Sequence, residues 1–103
     1  MTKTEKFLKQ LISFDTTCTQ SNFVLMDEIE QFLIKNGFIT KVFLHSDKRN
    51  KSLLAVSGVK KLQNIQDGLL LSGHIDTVGF DRKSWQTNPL EMTEQNGRLY
   101  GRG

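Results

Sequence analysis

Residues 69–78 constrain the fold of this 103-residue chain more than any other stretch. They open with three consecutive leucines, and an apolar run without alternation is typical of a strand buried on both faces of a parallel sheet. Gly68 marks a turn in front of this predicted strand. Because open α/β sheets bind ligands at the carboxyl ends of their strands, we expect a functional site at His74 and Asp76.

The spacing of His74 and Asp76 suits a metal site. On an extended backbone, residues two positions apart point to the same side of the strand. A ring nitrogen of His74 could then bind a metal ion while Asp76 orients the site, as carboxylates beside metal-bound histidines do. The alternative is a hydrogen-bonded structural pair. The spacing by itself favours that alternative, because so short a motif discriminates poorly.

Two amphipathic helices are predicted before this strand. Thr2 and Glu5 match a capping box, from which the first helix runs to the neighbourhood of Phe14. After a polar connector, Ser21 or Asn22 caps the second helix. The apolar residues of the second helix fall on one stripe, which we expect to face the core and not a cofactor. The stripe consists of Leu25, Met26, Ile29, Phe32 and Leu33.

Short strands and turns account for much of the remaining sequence. Gly37 is a natural left-handed cap for the second helix. Strands are predicted at residues 38–44 and 52–57, and the first of these is rich in β-branched and aromatic residues. The succession of helix, glycine and strand is typical of an α/β domain. Asn96 and Gly97, between two short β-prone runs, predict a hairpin turn.

Charge and composition argue against several classes of function. The net charge of +3 comes from basic residues that are spread along the chain, so we expect no nucleic-acid partner. No apolar run approaches the length of a membrane span, and the first residues do not form a secretory signal. The single cysteine, Cys18, cannot form an internal disulfide, which fits a cytoplasmic protein.

Other residues with reactive side chains are assigned no role in catalysis. His45 lies in a loop of polar and charged residues, so we expect it at the surface. Cys18 has no histidine close in sequence that would activate its thiol. Glu91 and Glu94 fall in the predicted hairpin, where we expect solvated carboxylates and not a general base.

A series of motifs around His74 resembles the zinc-dependent amidohydrolase and exopeptidase family that includes acetylornithine deacetylase, succinyl-diaminopimelate desuccinylase, aminoacylase and glutamate carboxypeptidase. The family pattern is a strand ending in H-x-D-x-V-P, a loop with a tryptophan, a D-P-F-like step and then G-x-L-Y-G-R-G. The resemblance covers nearly the whole chain and is strongest to the acetylornithine deacetylase branch. The matching elements are residues 72–78, Trp85, residues 88–90 and residues 97–103. The resemblance to the acetylornithine deacetylase branch depends on residues 11–17, 21–23, 80–81 and 90–94.

The resemblance implies an α/β fold that forms the N-terminal part of a zinc-exopeptidase-like catalytic domain. Two helices would pack on a partial sheet that ends in a hairpin. His74 would be a metal ligand and Asp76 the catalytic carboxylate beside it. In the family, two zinc ions activate a bridging water while a glutamate handles the proton. The implied substrate is an N-acyl amino acid, with N-acetylornithine first and an N-succinyl diamino acid or a peptide as the alternatives.

The sequence departs from the family pattern in two places. Gly79 stands where the family usually has proline, which loosens the loop beside the site. The sequence ends at Gly103, before the family's zinc-bridging aspartate, its paired glutamates, its later ligands and its second domain. A catalytic zinc needs about three protein ligands. We therefore expect residues 1–103 to be the N-terminal portion of the catalytic domain, incomplete and inactive alone, with at most a partial zinc site.

Three alternatives stay open at the level of sequence. The chain could be a subunit that a complementary C-terminal chain completes. It could be a non-catalytic remnant of the enzyme. It could also be a small binding module that reuses part of the fold.

Overall fold

The computed structural model of this protein describes residues 1–63 and 65–103. The chain forms two compact units. The first unit combines Met1–Gln20 with Asp76–Gly103, and the second unit is Ser21–Ile75. The fold is mixed α/β, with two α-helices and two small antiparallel sheets in the described residues. No helix among those residues is both long enough and apolar enough to cross a membrane.

The first unit begins with helix α1, Lys3–Ile12. Its capping box is confirmed: the amide of Glu5 donates to the Thr2 hydroxyl at 3.1 Å, and the amide of Thr2 donates to the Glu5 carboxylate at 2.7 Å. These two bonds satisfy backbone donors that a helix start leaves without intrahelical partners. The helix ends two residues before the predicted neighbourhood of Phe14, with Ser13 as its C-terminal cap.

A hairpin closes the sequence of the first unit. Its two antiparallel strands are, in chain order, β3, Thr93–Gln95, and β4, Arg98–Tyr100. Asn96 and Gly97 between them have φ of 53° and 73°. Positive φ at both central residues is what a two-residue type I′ hairpin turn requires, and asparagine and glycine tolerate it best. The predicted hairpin is therefore confirmed.

Few side chains are buried in the first unit. Met92 is the buried hydrophobic side chain, and Pro89 is fully enclosed. The other buried residues are polar or charged, Thr16 and Arg102. The backbone amide of Arg102 donates to the carbonyl of Pro89 at 2.9 Å. A buried centre of this composition depends on hydrogen bonds, because buried polar groups are costly unless they are paired.

The second unit begins with helix α2, Phe23–Lys35. Asn22 occupies the N-cap position, but its side chain does not cap the helix. It forms two hydrogen bonds to the backbone of Lys51 instead. Its Nδ2 donates to the Lys51 carbonyl at 3.0 Å, and its Oδ1 accepts from the Lys51 amide at 2.9 Å. The hydroxyl of Ser21 accepts from the amide of Phe23 at 3.3 Å. Of the two candidate caps, Ser21 therefore accepts a hydrogen bond at the helix start, whereas the Asn22 side chain ties the helix start to Lys51.

Helix α2 packs on a two-stranded antiparallel sheet made of β1, Ile39–Leu44, and β2, Lys51–Val56. The buried part of the predicted stripe is Leu25 and Met26. Gly37 follows the helix with φ of 86°, which confirms the left-handed cap. Both strands lie within one residue of their predicted positions. Each needs the other because a single strand leaves its backbone groups unpaired.

The predicted buried strand at the start of residues 69–78 is wrong. Residues 69–76 have no regular secondary structure, and Leu69, Leu70 and Leu71 are 86%, 80% and 83% exposed. A buried strand needs neighbours on both edges and cover on both faces. Strands β1 and β2 pair with each other, as do β3 and β4, and no strand in the described part of the chain pairs with these leucines.

Candidate functional site

His74 and Asp76 both lie in the irregular stretch, and both side chains are exposed. His74 belongs to the second unit and Asp76 to the first. The expectation that the two side chains point to the same side depended on an extended strand, and that strand is not formed. Their roles as metal ligand and catalytic carboxylate stay predictions.

The described residues do not form a complete metal site. Among residues 1–63 and 65–103, no three histidine, cysteine, aspartate or glutamate side chains lie close enough together to hold a metal ion. A catalytic zinc needs about three protein ligands and an open position. His74 and Asp76 therefore do not suffice by themselves for the zinc site that the family resemblance implies.

The other residues with reactive side chains lie where the sequence placed them. His45 is exposed, and its Nε2 lies 2.8 Å from the hydroxyl of Ser52. Glu91 and Glu94 are exposed in and beside the hairpin. Cys18 is an exposed free thiol.

The backbone immediately after Asp76 is held firmly within the first unit. Thr77 forms an isolated parallel bridge with Thr17. The amide of Thr77 donates to the carbonyl of Thr16 at 3.0 Å, and the hydroxyls of Thr77 and Thr16 are 3.3 Å apart. Thr16 is itself buried. The sequence predicted only an irregular loop around Thr16, because hydroxyl side chains compete for backbone hydrogen bonds.

Arg102 lies against the same two segments. Its Nη1 donates to the Val78 carbonyl at 2.9 Å and to the Thr17 hydroxyl at 3.2 Å. Its Nη2 lies 3.4 Å from a carboxylate oxygen of Asp15, and its guanidinium stacks 4.9 Å from the centre of the Phe80 ring. The resemblance had included Arg102 in the G-x-L-Y-G-R-G motif, which was the available signal, but it assigned this arginine no role.

Asp15 is held as a carboxylate in this arrangement. The hydroxyl of Thr17 and, next, the amide of Thr17 donate to its Oδ1, and these bonds lower the pKa of Asp15 below its usual value. The positive charge of Arg102 acts in the same direction. Hydrogen bonds to the charged form of an acid favour that form. The first unit therefore has an anchored acid and arginine beside the segment that follows Asp76.

A shallow cavity of about 240 Å³ lies elsewhere in the first unit, and it contains neither His74 nor Asp76. Its walls are polar and aromatic. The lining residues are Ser84, Trp85, Gln86, Thr87, Gln95 and Tyr100.

Comparison with known proteins finds relatives that match most of this chain. The chain is 40% identical over 92 residues to acetylornithine deacetylase of Pasteurella multocida, a match that covers 88% of this chain and 23% of that protein. This chain resembles the acetylornithine deacetylases. It is 38% identical over 86 residues to acetylornithine deacetylase of Buchnera aphidicola, and 36% identical over 90 residues to that of Yersinia pestis. No model of a known protein family matches the chain.

The resemblance to acetylornithine deacetylase that the motifs predicted is confirmed by these matches. The matched segment covers more than four fifths of this chain but spans less than a quarter of each of these relatives, between 21% and 23%. The matches therefore bear on a part of an acetylornithine deacetylase and not on the whole of one.

Proposed function

We propose that this chain supplies the N-terminal portion of the catalytic domain of a cytoplasmic, zinc-dependent amide hydrolase. The reaction is removal of the acetyl group from N-acetylornithine. The observation that carries the proposal is the 40% identity over 92 residues to a protein named acetylornithine deacetylase. The shared name of the relatives favours an acetylated substrate over the succinylated and peptide alternatives.

In this proposal His74 is one zinc ligand and Asp76 is the carboxylate that orients the site. The exposure of both side chains supports it, because groups from another part of a longer protein, or from a separate chain, have access to them. The remaining ligands and the general base come from outside residues 1–103. On its own the chain is inactive.

The exposed leucines also support the proposal that this chain is one portion of a larger catalytic domain. Leu69, Leu70 and Leu71 are each at least 80% exposed. Burying a leucine side chain fully contributes about 1.5–3 kcal/mol. Three adjacent leucines in water form an apolar surface that the rest of the catalytic domain can cover.

Zinc titration of the chain tests the metal role directly. We expect isothermal titration calorimetry to detect weak zinc binding by the wild-type chain and its loss in His74→Ala. His45→Ala is the matched control, because the chain has two histidines and His45 is an exposed loop residue bonded to Ser52. Equal binding by wild type and His74→Ala would contradict the proposed ligand.

A hybrid enzyme tests the reaction. The matched segment of the Pasteurella multocida acetylornithine deacetylase is replaced by this chain, and acetate release from N-acetylornithine is measured beside release of succinate from an N-succinyl diamino acid. We expect acetate release that is lost in His74→Ala and Asp76→Ala and kept in His45→Ala. A folded, zinc-loaded hybrid that releases no acetate would contradict the proposal that N-acetylornithine is the substrate.

A further inference from the structure

Arg102 is a buried cation whose contacts converge on two chain segments. Residues 15–17 provide a carboxylate and a hydroxyl, and residues 78–80 provide a carbonyl oxygen and an aromatic face. The two segments are also joined directly, by the hydrogen bond from the Thr77 amide to the Thr16 carbonyl. A guanidinium suits this place because its planar fork can donate in several directions while its face stacks on a ring.

The burial of Arg102 makes these contacts energetically important. Its side chain is 7% exposed, and its Nε is buried with no hydrogen-bond partner among the described residues. A buried charge is tolerated only with partners, so removal of any partner is costly. The arginine therefore depends on its four contacts, and through them it holds residues 15–17 against residues 78–80.

The position of this contact set relative to the candidate site is specific. Thr77, whose amide bonds to Thr16, directly follows Asp76. Val78, whose carbonyl accepts from Arg102, is the next residue. Movement of this backbone would move the Cα of Asp76, because consecutive peptide units are nearly rigid planes.

We propose that Arg102 is a positioning residue, which holds the backbone at Thr77 and Val78 against residues 15–17 and thereby places the Asp76 carboxylate that orients the metal site. The metal part of this inference rests on the proposed function. The arginine touches neither metal nor substrate, and it acts through the backbone.

The experiment compares Arg102→Met, which removes the donors and the charge, with Arg102→Lys, which keeps a charged donor. Arg98→Met is the matched control, an exposed arginine of strand β4 in the same unit. Amide hydrogen exchange at Thr77 is followed by NMR, zinc affinity by calorimetry, and the ligand field by the visible spectrum of bound Co²⁺. All variants are made in residues 1–103.

We expect Arg102→Met to speed exchange at Thr77 about tenfold, since it removes the bond to the neighbouring Val78 carbonyl and the contact with the Phe80 ring. We expect its zinc affinity to fall about tenfold, the lower end of the effect of losing an outer partner of a metal site. The Co²⁺ spectrum should shift in Arg102→Met and return towards wild type in Arg102→Lys, while Arg98→Met changes nothing. Should Arg102→Met lose its circular dichroism, Thr17→Val gives the deciding measurement: it removes the hydroxyl that accepts from Arg102 and donates to Asp15, and we expect a smaller effect in the same direction.

Unchanged exchange at Thr77 in a folded variant would overturn the inference. Faster exchange with unchanged zinc affinity and Co²⁺ spectrum would also overturn it, because Arg102 would then be structural alone, and loss of zinc binding in His74→Ala would show that the proposed function still stands. A wild-type chain that binds no more zinc than His74→Ala would overturn both the proposed metal ligand and the positioning of a metal site.

Discussion

The amide of Thr77 donates a hydrogen bond to the carbonyl of Thr16 at 3.0 Å, across 61 positions of sequence. This bond gives the residue after Asp76 a fixed neighbour, although the stretch that carries His74 and Asp76 has no regular secondary structure. Thr16 is buried and Thr77 is half-buried. The irregular candidate site therefore borders a well-anchored segment.

Two leucines should respond very differently to truncation. Leu25 is 4% exposed on helix α2, whereas Leu70 is 80% exposed. We expect Leu25→Ala to lower the free energy of unfolding by about 2–5 kcal/mol, because it leaves a cavity. Leu70→Ala should change it by less than about 0.5 kcal/mol. Urea denaturation followed by circular dichroism measures both. A loss in Leu70→Ala similar to that in Leu25→Ala would mean that residues 69–71 are packed in the isolated chain.

The glycine that ends helix α2 should be hard to replace. Gly37 has φ of 86° with nothing within 4 Å of an added Cβ, so the cost of Gly37→Ala is conformational and not a clash. We expect a loss of about 1 kcal/mol in the free energy of unfolding. Gly73→Ala is the matched control, since its backbone is not left-handed and the space around it is also open. Thermal melting of both variants should separate them; equal melting temperatures would contradict this explanation.

The capping box of helix α1 should contribute measurably. Thr2→Ala removes the hydroxyl that accepts from the amide of Glu5, and we expect a loss of about 1 kcal/mol. Thr4→Ala removes a hydroxyl from inside the same helix and should cause no loss, because alanine is the better helix former. The helical signal near 222 nm and the melting temperature report the difference. An equal effect of the two substitutions would count against the cap.

Stability should depend on pH through Asp15. Its pKa is lowered from 3.8, first by the hydroxyl of Thr17 and then by the amide of Thr17. A carboxyl with a lowered pKa in the folded state contributes stability above its unfolded pKa and loses it as the pH falls through the folded value. We expect Thr17→Val to raise the pKa of Asp15 towards 3.8 and to reduce this acid dependence.

NMR titration of the Asp15 carboxyl checks the shift, and melting temperatures below pH 4 check the stability. Thr19→Val, in the same polar connector, is the control and should leave both unchanged. If the pKa of Asp15 is the same in Thr17→Val as in the wild-type chain, the Thr17 bonds do not cause the shift. The charge of Arg102 is then the next cause to test.

The predictions that succeeded rest on local rules. The capping box at Thr2, the left-handed cap at Gly37 and the hairpin turn at Asn96 and Gly97 each follow from the chemistry of a few adjacent residues. The resemblance to acetylornithine deacetylases likewise depended on motifs in order along the chain, and the relatives confirm it.

The predictions that failed or stay open concern neighbours distant in sequence. Leu69, Leu70 and Leu71 have the apolar character of a buried strand, but a strand forms only where another strand and a covering layer meet it. Ser21 or Asn22 was expected to cap helix α2; Ser21 accepts from the amide of Phe23, but the side-chain amide of Asn22 bonds to Lys51 instead. The spacing of residues along the chain could not show that the leucines lack a pairing strand or that Asn22 lies beside Lys51.

The sequence by itself determined the helix and turn boundaries, the family resemblance and the position of His74 and Asp76 after an apolar run, because these depend on residue type and spacing. Tertiary structure alone decided that the leucines stay in water, that β1 and β2 pair with each other, and that Arg102 joins residues 15–17 to residues 78–80. The physical reason is that burial and hydrogen-bond pairing are properties of partners, and a residue's partners are chosen by the folded chain and not by its neighbours in sequence.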